Sequence, residues 1–169
     1  MDEHDTSPQP VHIVFTVQVI AAALMFGAVI FAGVAAWVVS SRQQPPSDAL
    51  LAYVAVGMAI VLFIARSIIP ARIVNTQRMA LAKSLQTQPQ PESELEQALG
   101  QVFLMKTIFE LAISEGAAFS VLAMFFVSGH WWLLAIVGVV LAVKALSFPT
   151  NMKYQDWLHN QHQLMNIED

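Results

Sequence analysis

The feature that most constrains this chain is a set of four apolar stretches, each long enough to cross the hydrocarbon layer of a bilayer. Crossing about 30 Å at 1.5 Å per residue takes roughly 18 or more helical residues. The stretches cover residues 11–39, 49–69, 107–127 and 131–148. None of them alternates apolar and polar residues as a barrel strand does, so we expect helices that satisfy their own backbone hydrogen bonds.

The composition excludes several classes of soluble protein. Of the 169 residues, 56% are hydrophobic and 12% are charged, whereas a soluble domain carries about 25% charged residues. The chain contains no cysteine, which excludes a disulfide scaffold. Its formal net charge of -4 gives no basic footprint, so we expect no nucleic-acid partner.

The pattern predicts an all-α integral membrane fold, a single domain over residues 1–169 whose four transmembrane helices form two helical hairpins. Residues 1–10 are a polar tail, 70–106 a long loop with helical extensions, and 149–169 a C-terminal helix. An even number of crossings places both termini and the long loop on one side. All the Lys and Arg residues except Arg42 belong to that side, so the bias of basic residues predicts a cytoplasmic location for the termini and the loop.

Local patterns refine this layout. The polar stretch after Pro70 is typical of a helix that continues the second span, and Gln-Pro-Gln-Pro at 88–91 predicts a break. Ser93 and Glu96 have the spacing of a capping box for a helix that leads into the third span. An aromatic belt is expected near the outer face, formed by Trp37, Tyr53, Trp131 and Trp132.

Charged residues near the inner boundary form a predicted charge layer: Arg66, Lys106, Glu110 and Lys144. Lys106 lies four residues before Glu110 and can reach it along one helix. Charges at this depth are costly unless they are paired or reach the interface, so we expect Glu110 to meet Arg66 or Lys144. A structural ion cluster that joins the two hairpins is favoured over a proton or ion path.

Glu115 lies deeper, about 12 Å inside when counted from residue 107, and no basic residue is expected at its own level. Gln18 on the first span has a similar expected depth and could pair with it. The carboxyl could bind and release a proton or cation, or it could be a structural, hydrogen-bonded group, and the second interpretation is favoured.

Small residues recur every four positions in two stripes, Ala28, Ala32 and Ala36 on the first span and Ala112, Gly116 and Ser120 on the third. Such stripes allow close helix packing, usually within one subunit and less often between subunits. His159 and His162 could share a helix face, but no third ligand accompanies them, so neither a metal site nor a cofactor is expected.

The second half of the chain resembles a group of small bacterial inner-membrane proteins with four helices. The resemblance rests on A-x-x-E-G-x-A-F, here residues 112–119, and on Phe-Pro-Thr at 148–150 after the fourth span. It implies a multi-pass protein of a bacterial cytoplasmic membrane and no particular activity. The Glu-bearing second hairpin is also remotely similar to rotary ATPase proteolipids, whose carboxyl carries an ion, although their glycine-rich partner helix is absent here.

These observations lead to two functional expectations. The first is a non-enzymatic structural or accessory subunit, in contact with membrane lipid and with other membrane subunits or further copies of itself. The alternative is a proton- or cation-conducting subunit that uses Glu115. An enzyme is not expected, because no nucleophile and base occur in a recognisable constellation.

Overall fold

The computed structural model describes residues 10–42, 49–87 and 91–167, and within these ranges the regular secondary structure is all helical. Five helices follow one another along the sequence: α1 (Pro10–Ser41), α2 (Ala49–Thr87), α3 (Glu92–Ser128), α4 (Trp132–Leu146) and α5 (Asn151–Ile167). The predicted all-α class is therefore confirmed. Residues 1–9, which form most of the predicted N-terminal tail, lie outside the described ranges.

Three helices are long and apolar enough to cross a membrane, over Ile13–Ser41, Ala49–Ser84 and Glu94–Ser128. A fourth candidate is a bent pair, Trp132–Leu146 followed by Asn151–Gln161, whose axes differ by 67°. α4 alone has 15 residues, or about 22 Å, which is shorter than the hydrocarbon layer. The chain thus has three to four candidate spans, consistent with a multi-pass membrane protein.

Large apolar side chains point outward along these helices. Phe26 on α1 is 71% exposed and Val61 on α2 is 63% exposed. The interior instead contains many small residues, such as Ala35 and Ala52, which are fully buried. This distribution suits a protein surrounded by lipid, where tight packing of small residues brings helices together.

α3 is the central helix, because it packs against each of the other four. The main core cluster joins four helices through Ala35 of α1, Ala52 of α2, Val121 and Phe125 of α3, and Leu133 of α4. α1 packs chiefly on α3, with a smaller contact to α5. α3 thus contributes to every major helix interface in the described part of the chain.

The two small-residue stripes differ in their surroundings. Ala28 is fully buried, and Ala32 and Ala36 pack at the margin of the core. On α3, however, Ala112 and Gly116 are exposed, and the buried positions are their neighbours. Ser120 is half-buried. The α3 stripe is therefore largely outside the core of this chain, and the core-facing side of α3 carries larger residues such as Leu122 and Phe125.

α2 and α3 form a long antiparallel pair that continues past the apolar region. α2 runs through Pro70 without interruption, as the prediction of a continuing helix requires, and Pro70 is buried. α3 begins after Pro91, whose carbonyl oxygen accepts hydrogen bonds from the backbone N–H groups of Glu94 (3.0 Å) and Leu95 (3.3 Å). The N-cap is therefore Pro91 rather than Ser93, so the predicted capping box is wrong in its position. The side chain of Ser93 lies outside the described part.

Candidate functional site

A tight turn sets the register between α3 and α4. α3 ends at Ser128, and the next residue, Gly129, adopts a left-handed conformation (φ 71°) and donates its N–H to the Phe125 carbonyl oxygen at 2.8 Å. Glycine suits this position because it has no Cβ to clash with the backbone. α4 then starts at Trp132 and runs back along α3. Residues of α3 and α4 that are equally far from this turn consequently lie at the same level along the helix pair.

Glu115 and Lys144 are matched by this register. Glu115 lies 13 residues before Ser128 and Lys144 lies 12 residues after Trp132, so both are about 18–20 Å from the turn. Their side chains form an ion pair in which Lys144 Nζ donates to Glu115 Oε2. The lysine side chain is 2% exposed and the glutamate side chain 9% exposed. The expectation that Glu115 has no basic residue at its level is wrong.

The same pair overturns the expected contact between Lys144 and Glu110. Glu110 lies about 27 Å from the turn, so it is about 9 Å farther along the helix pair than Lys144. Glu110 instead lies 3.6 Å from Lys106 Nζ, one turn earlier on α3. This i, i+4 ion pair was expected, and both side chains are 29% exposed. Lys144 is therefore separated from the predicted layer by its pairing with Glu115, and Arg66, Lys106 and Glu110 remain as a half-buried group.

One oxygen of the buried carboxylate is not used by Lys144. Glu115 Oε1 is buried and has no hydrogen-bond partner in the described part of the chain. The neighbouring Ser114 is also buried, but its hydroxyl donates to the Glu110 carbonyl oxygen at 2.6 Å. A carboxylate oxygen without a partner in a low-dielectric site is costly. It is the feature of this site that most suggests a further ligand such as a proton or a water molecule.

Gln18 does not pair with Glu115. Its amide Nε2 donates to the Pro149 carbonyl oxygen at 3.0 Å, between the end of α4 and the start of α5. Pro149 belongs to the Phe-Pro-Thr segment that the sequence pattern singled out. Gln18 therefore links α1 to the α4–α5 corner, and the predicted pairing of Gln18 with Glu115 is wrong.

Lys153 stabilises the same corner and was not anticipated from the sequence. Its Nζ donates to the carbonyl oxygens of Leu146 (2.8 Å) and Phe148 (3.1 Å), which lie at the end of α4. A cation there satisfies free carbonyls and interacts favourably with the helix dipole. A sequence feature that could have predicted this contact is a lysine within two helical turns of a helix end that is followed by proline.

α5 is fastened to the bundle by aromatic contacts. The Tyr154 and Phe103 rings meet edge to face with centroids 5.0 Å apart, and Trp157 lies 5.4 Å from Phe103. Phe103 is 25 residues before the end of α3, about 38 Å from the Gly129 turn. α5 therefore lies at the end of the bundle opposite that turn.

The predicted outer belt gathers at the turn end. Tyr53 and Trp132 have ring centroids 6.2 Å apart, and Trp37 and Trp131 are exposed. Arg42 lies at the same end, where its Nη1 donates to the Phe126 carbonyl oxygen at 2.9 Å, near the C-terminus of α3. Aromatic rings and a helix-capping arginine are typical of a membrane–water interface.

The remaining charged residues of the predicted layer line an open cleft of about 500 Å³ between α2, α3 and α4. Its charged lining consists of Arg66, Lys106 and Glu110. The rest of the lining is apolar or small: Phe63, Ser67, Ala71, Val143 and Ser147. Arg66 is half-buried and makes no ion pair within the described ranges; its guanidinium carbon lies 5.7 Å from the centre of the Phe63 ring.

Histidine contacts on α5 are local. His159 Nε2 lies 3.0 Å from Gln163 Nε2 on the next turn, and the side chain of His162 is outside the described part. Among the described residues, no three His, Asp or Glu side chains are grouped to hold a metal ion.

No protein-family model, curated protein or solved structure matches this chain.

Proposed function

We propose that this chain is a four-crossing protein of a bacterial cytoplasmic membrane, with both termini and the α2–α3 extension in the cytoplasm. In this arrangement residues 11–39, 49–69, 107–127 and 131–148 cross the bilayer as two sequential pairs. α4 returns along α3, and α5 packs beside Phe103 at the far end, which supports a fourth crossing. The excess of basic residues at that end supports its cytoplasmic orientation.

Within this topology, we propose that the protein is a structural or accessory subunit of a membrane complex, with no catalytic activity. The observation that carries this proposal is the length of α2 and α3, which have 39 and 37 residues. These lengths correspond to about 58 and 55 Å, against about 30 Å of hydrocarbon. Each helix therefore continues roughly 25 Å beyond the bilayer core as a helical hairpin.

The outer surface of this extension is suited to docking. Along residues 75–84 of α2, the exposed residues include Thr76, Met79 and Ser84, with Met79 58% exposed. Methionine side chains are flexible and recur at protein-binding surfaces. We propose that a companion membrane subunit binds here.

A matched pair of methionine variants tests this proposal. Met79→Asp should abolish co-purification of a stoichiometric companion in mild detergent, because it places a charge in the contact. Met152→Asp is the control, since Met152 is equally apolar and 74% exposed on α5; it should retain the companion. A chain that is isolated alone, with the same complex mass for all three proteins on a native gel, would contradict the proposal.

The alternative is conduction of a proton or cation through Glu115. It is favoured by one observation, the buried Glu115 Oε1 that has no partner in the described ranges. Proteoliposomes loaded with a pH-sensitive dye test it: wild-type flux that is lost in Glu115→Gln would establish conduction. Absence of flux in the wild type, with a control ionophore active, would remove this alternative and leave the structural role.

A further inference from the structure

We propose that the cleft between α2, α3 and α4 binds the phosphate of an anionic phospholipid, with Arg66 as the principal contact. This inference depends on the membrane setting and is independent of any companion subunit. The shape of the cleft, its charge balance and its level in the bundle all favour such a ligand.

The cleft exists because α4 is short. α4 ends at Leu146 after 15 residues, and the chain then bends by 67° into α5. α2 and α3 continue past this level, so one side of their pair is left uncovered where α4 ends. Val143 of α4 and Ser147, just after its end, line the cleft together with Phe63 and Arg66 of α2.

The charge balance of the cleft favours an anion. Lys106 and Glu110 neutralise each other at 3.6 Å, which leaves the positive charge of Arg66. Since Arg66 has no carboxylate partner in the described part of the chain, its guanidinium donors are available to a ligand. A guanidinium presents a planar set of donors that matches the oxygens of a phosphate.

The level of the cleft suits a lipid better than a soluble ion. Arg66 lies 13 residues from Tyr53 of the aromatic belt, about 20 Å along α2, and Glu110 is about 27 Å from the turn. The cleft therefore spans the inner boundary of a 30 Å hydrocarbon layer. Phe63 and Val143 supply apolar walls for the upper part of acyl chains, and basic pockets between helices at this level are known headgroup sites.

Lipid retention measured by native mass spectrometry tests the inference. The intact chain in a non-ionic detergent is titrated with phosphatidylglycerol, or with phosphatidylcholine as the zwitterionic comparison. The wild type should retain phosphatidylglycerol in preference to phosphatidylcholine. Arg66→Gln should weaken phosphatidylglycerol retention about fivefold, the effect of one basic side chain near a headgroup.

Two further variants separate specific binding from general attraction and from misfolding. Arg72→Gln removes an exposed charge one and a half turns along α2 that does not line the cleft, and it should change retention by less than twofold. Glu110→Gln removes the negative charge and releases Lys106, so it should strengthen phosphatidylglycerol retention. A gain in one variant and a loss in another cannot both arise from unfolding.

Competition with inorganic phosphate shows whether the cleft binds a lipid headgroup or free phosphate, which present the same phosphate oxygens. Millimolar phosphate should leave bound phosphatidylglycerol in place if acyl contacts contribute to binding. Displacement of the lipid by phosphate, equal retention of the two lipids, or equal loss in Arg66→Gln and Arg72→Gln would each overturn the proposal.

Discussion

At the residue scale, the buried Glu115–Lys144 pair is the most consequential contact in the chain. It joins α3 to α4 and gives each of two buried charges an opposite partner in the apolar interior. Breaking a buried pair on one side leaves an uncompensated charge, which in soluble proteins costs about 3–5 kcal/mol. Replacing both partners by neutral groups of similar volume is far less costly, because no charge is then left buried.

The losses of stability in two single variants and their double variant should therefore not be additive. Lys144→Met and Glu115→Gln should each destabilise the protein. The larger loss, about 3 kcal/mol in total, is expected for Lys144→Met, since it leaves the carboxylate without a partner. The double variant should be more stable than Lys144→Met. Unfolding by SDS in mixed micelles, followed by far-UV circular dichroism, measures the three free energies. Additive losses in the double variant would show that the two side chains do not act as a pair.

The Glu115–Lys144 pair is predictable from the sequence, provided that the level of each residue along its helix is counted from the Gly129 turn. Counting inward from residues 107 and 148 placed Glu115 about 12 Å and Lys144 about 6 Å inside, at different levels. Residue 107 is not a structural boundary, however, because α3 begins at Glu92. The Gly129 turn is a real boundary for both helices, and from it the two residues agree within one helical step. Register is therefore predictable where a short turn fixes it.

At the element scale, the positions of the helices followed from hydropathy, while their ends depended on local backbone chemistry. The apolar stretches correspond to α1, to the first part of α2, to the second part of α3 and to α4. The break between α4 and α5 was predicted from the sequence, but the contacts that hold this corner were not, because Gln18 and Lys153 donate to main-chain carbonyls. Side chain to backbone contacts between distant segments leave no periodic signal in a sequence.

The turn between α3 and α4 gives the prediction that belongs to this scale. Gly129→Ala forces a side chain into the left-handed region and should destabilise the protein by about 1–2 kcal/mol. Gly138→Ala is the matched control, since a Cβ at Gly138 meets no atom within 4 Å and the residue lies inside α4. Alanine is the better helix former, so this change should be neutral or stabilising by up to about 1 kcal/mol.

The same SDS titration reports both glycine variants. The opposite signs expected for the two changes separate a conformational requirement at Gly129 from a general sensitivity of the hairpin to added volume. Equal stability of the two variants would mean that the turn does not depend on glycine.

At the scale of the whole molecule, the central question is how many times the chain crosses the bilayer. Three helices satisfy the length requirement by themselves, and α4 does so only together with part of α5. The two arrangements place α5 on opposite sides. With four crossings, α5 lies on the same side of the membrane as the α2–α3 extension. With three crossings, α4 enters and leaves the membrane by the same face, and α5 lies on the side opposite the extension. The contacts of Tyr154 with Phe103 favour four.

Because the chain has no cysteine, single-cysteine variants labelled in intact cells by a membrane-impermeant maleimide can decide between the two. Ser41→Cys at the aromatic end should be labelled from outside. Ser84→Cys on the extension and Asn160→Cys on α5 should be protected until the membrane is permeabilised; all three positions are exposed on the protein surface. Labelling of Asn160→Cys from outside, with Ser84→Cys still protected, would establish three crossings. It would also place Lys153 and the α4–α5 corner on the outer side, contrary to the expected excess of basic residues on the cytoplasmic side.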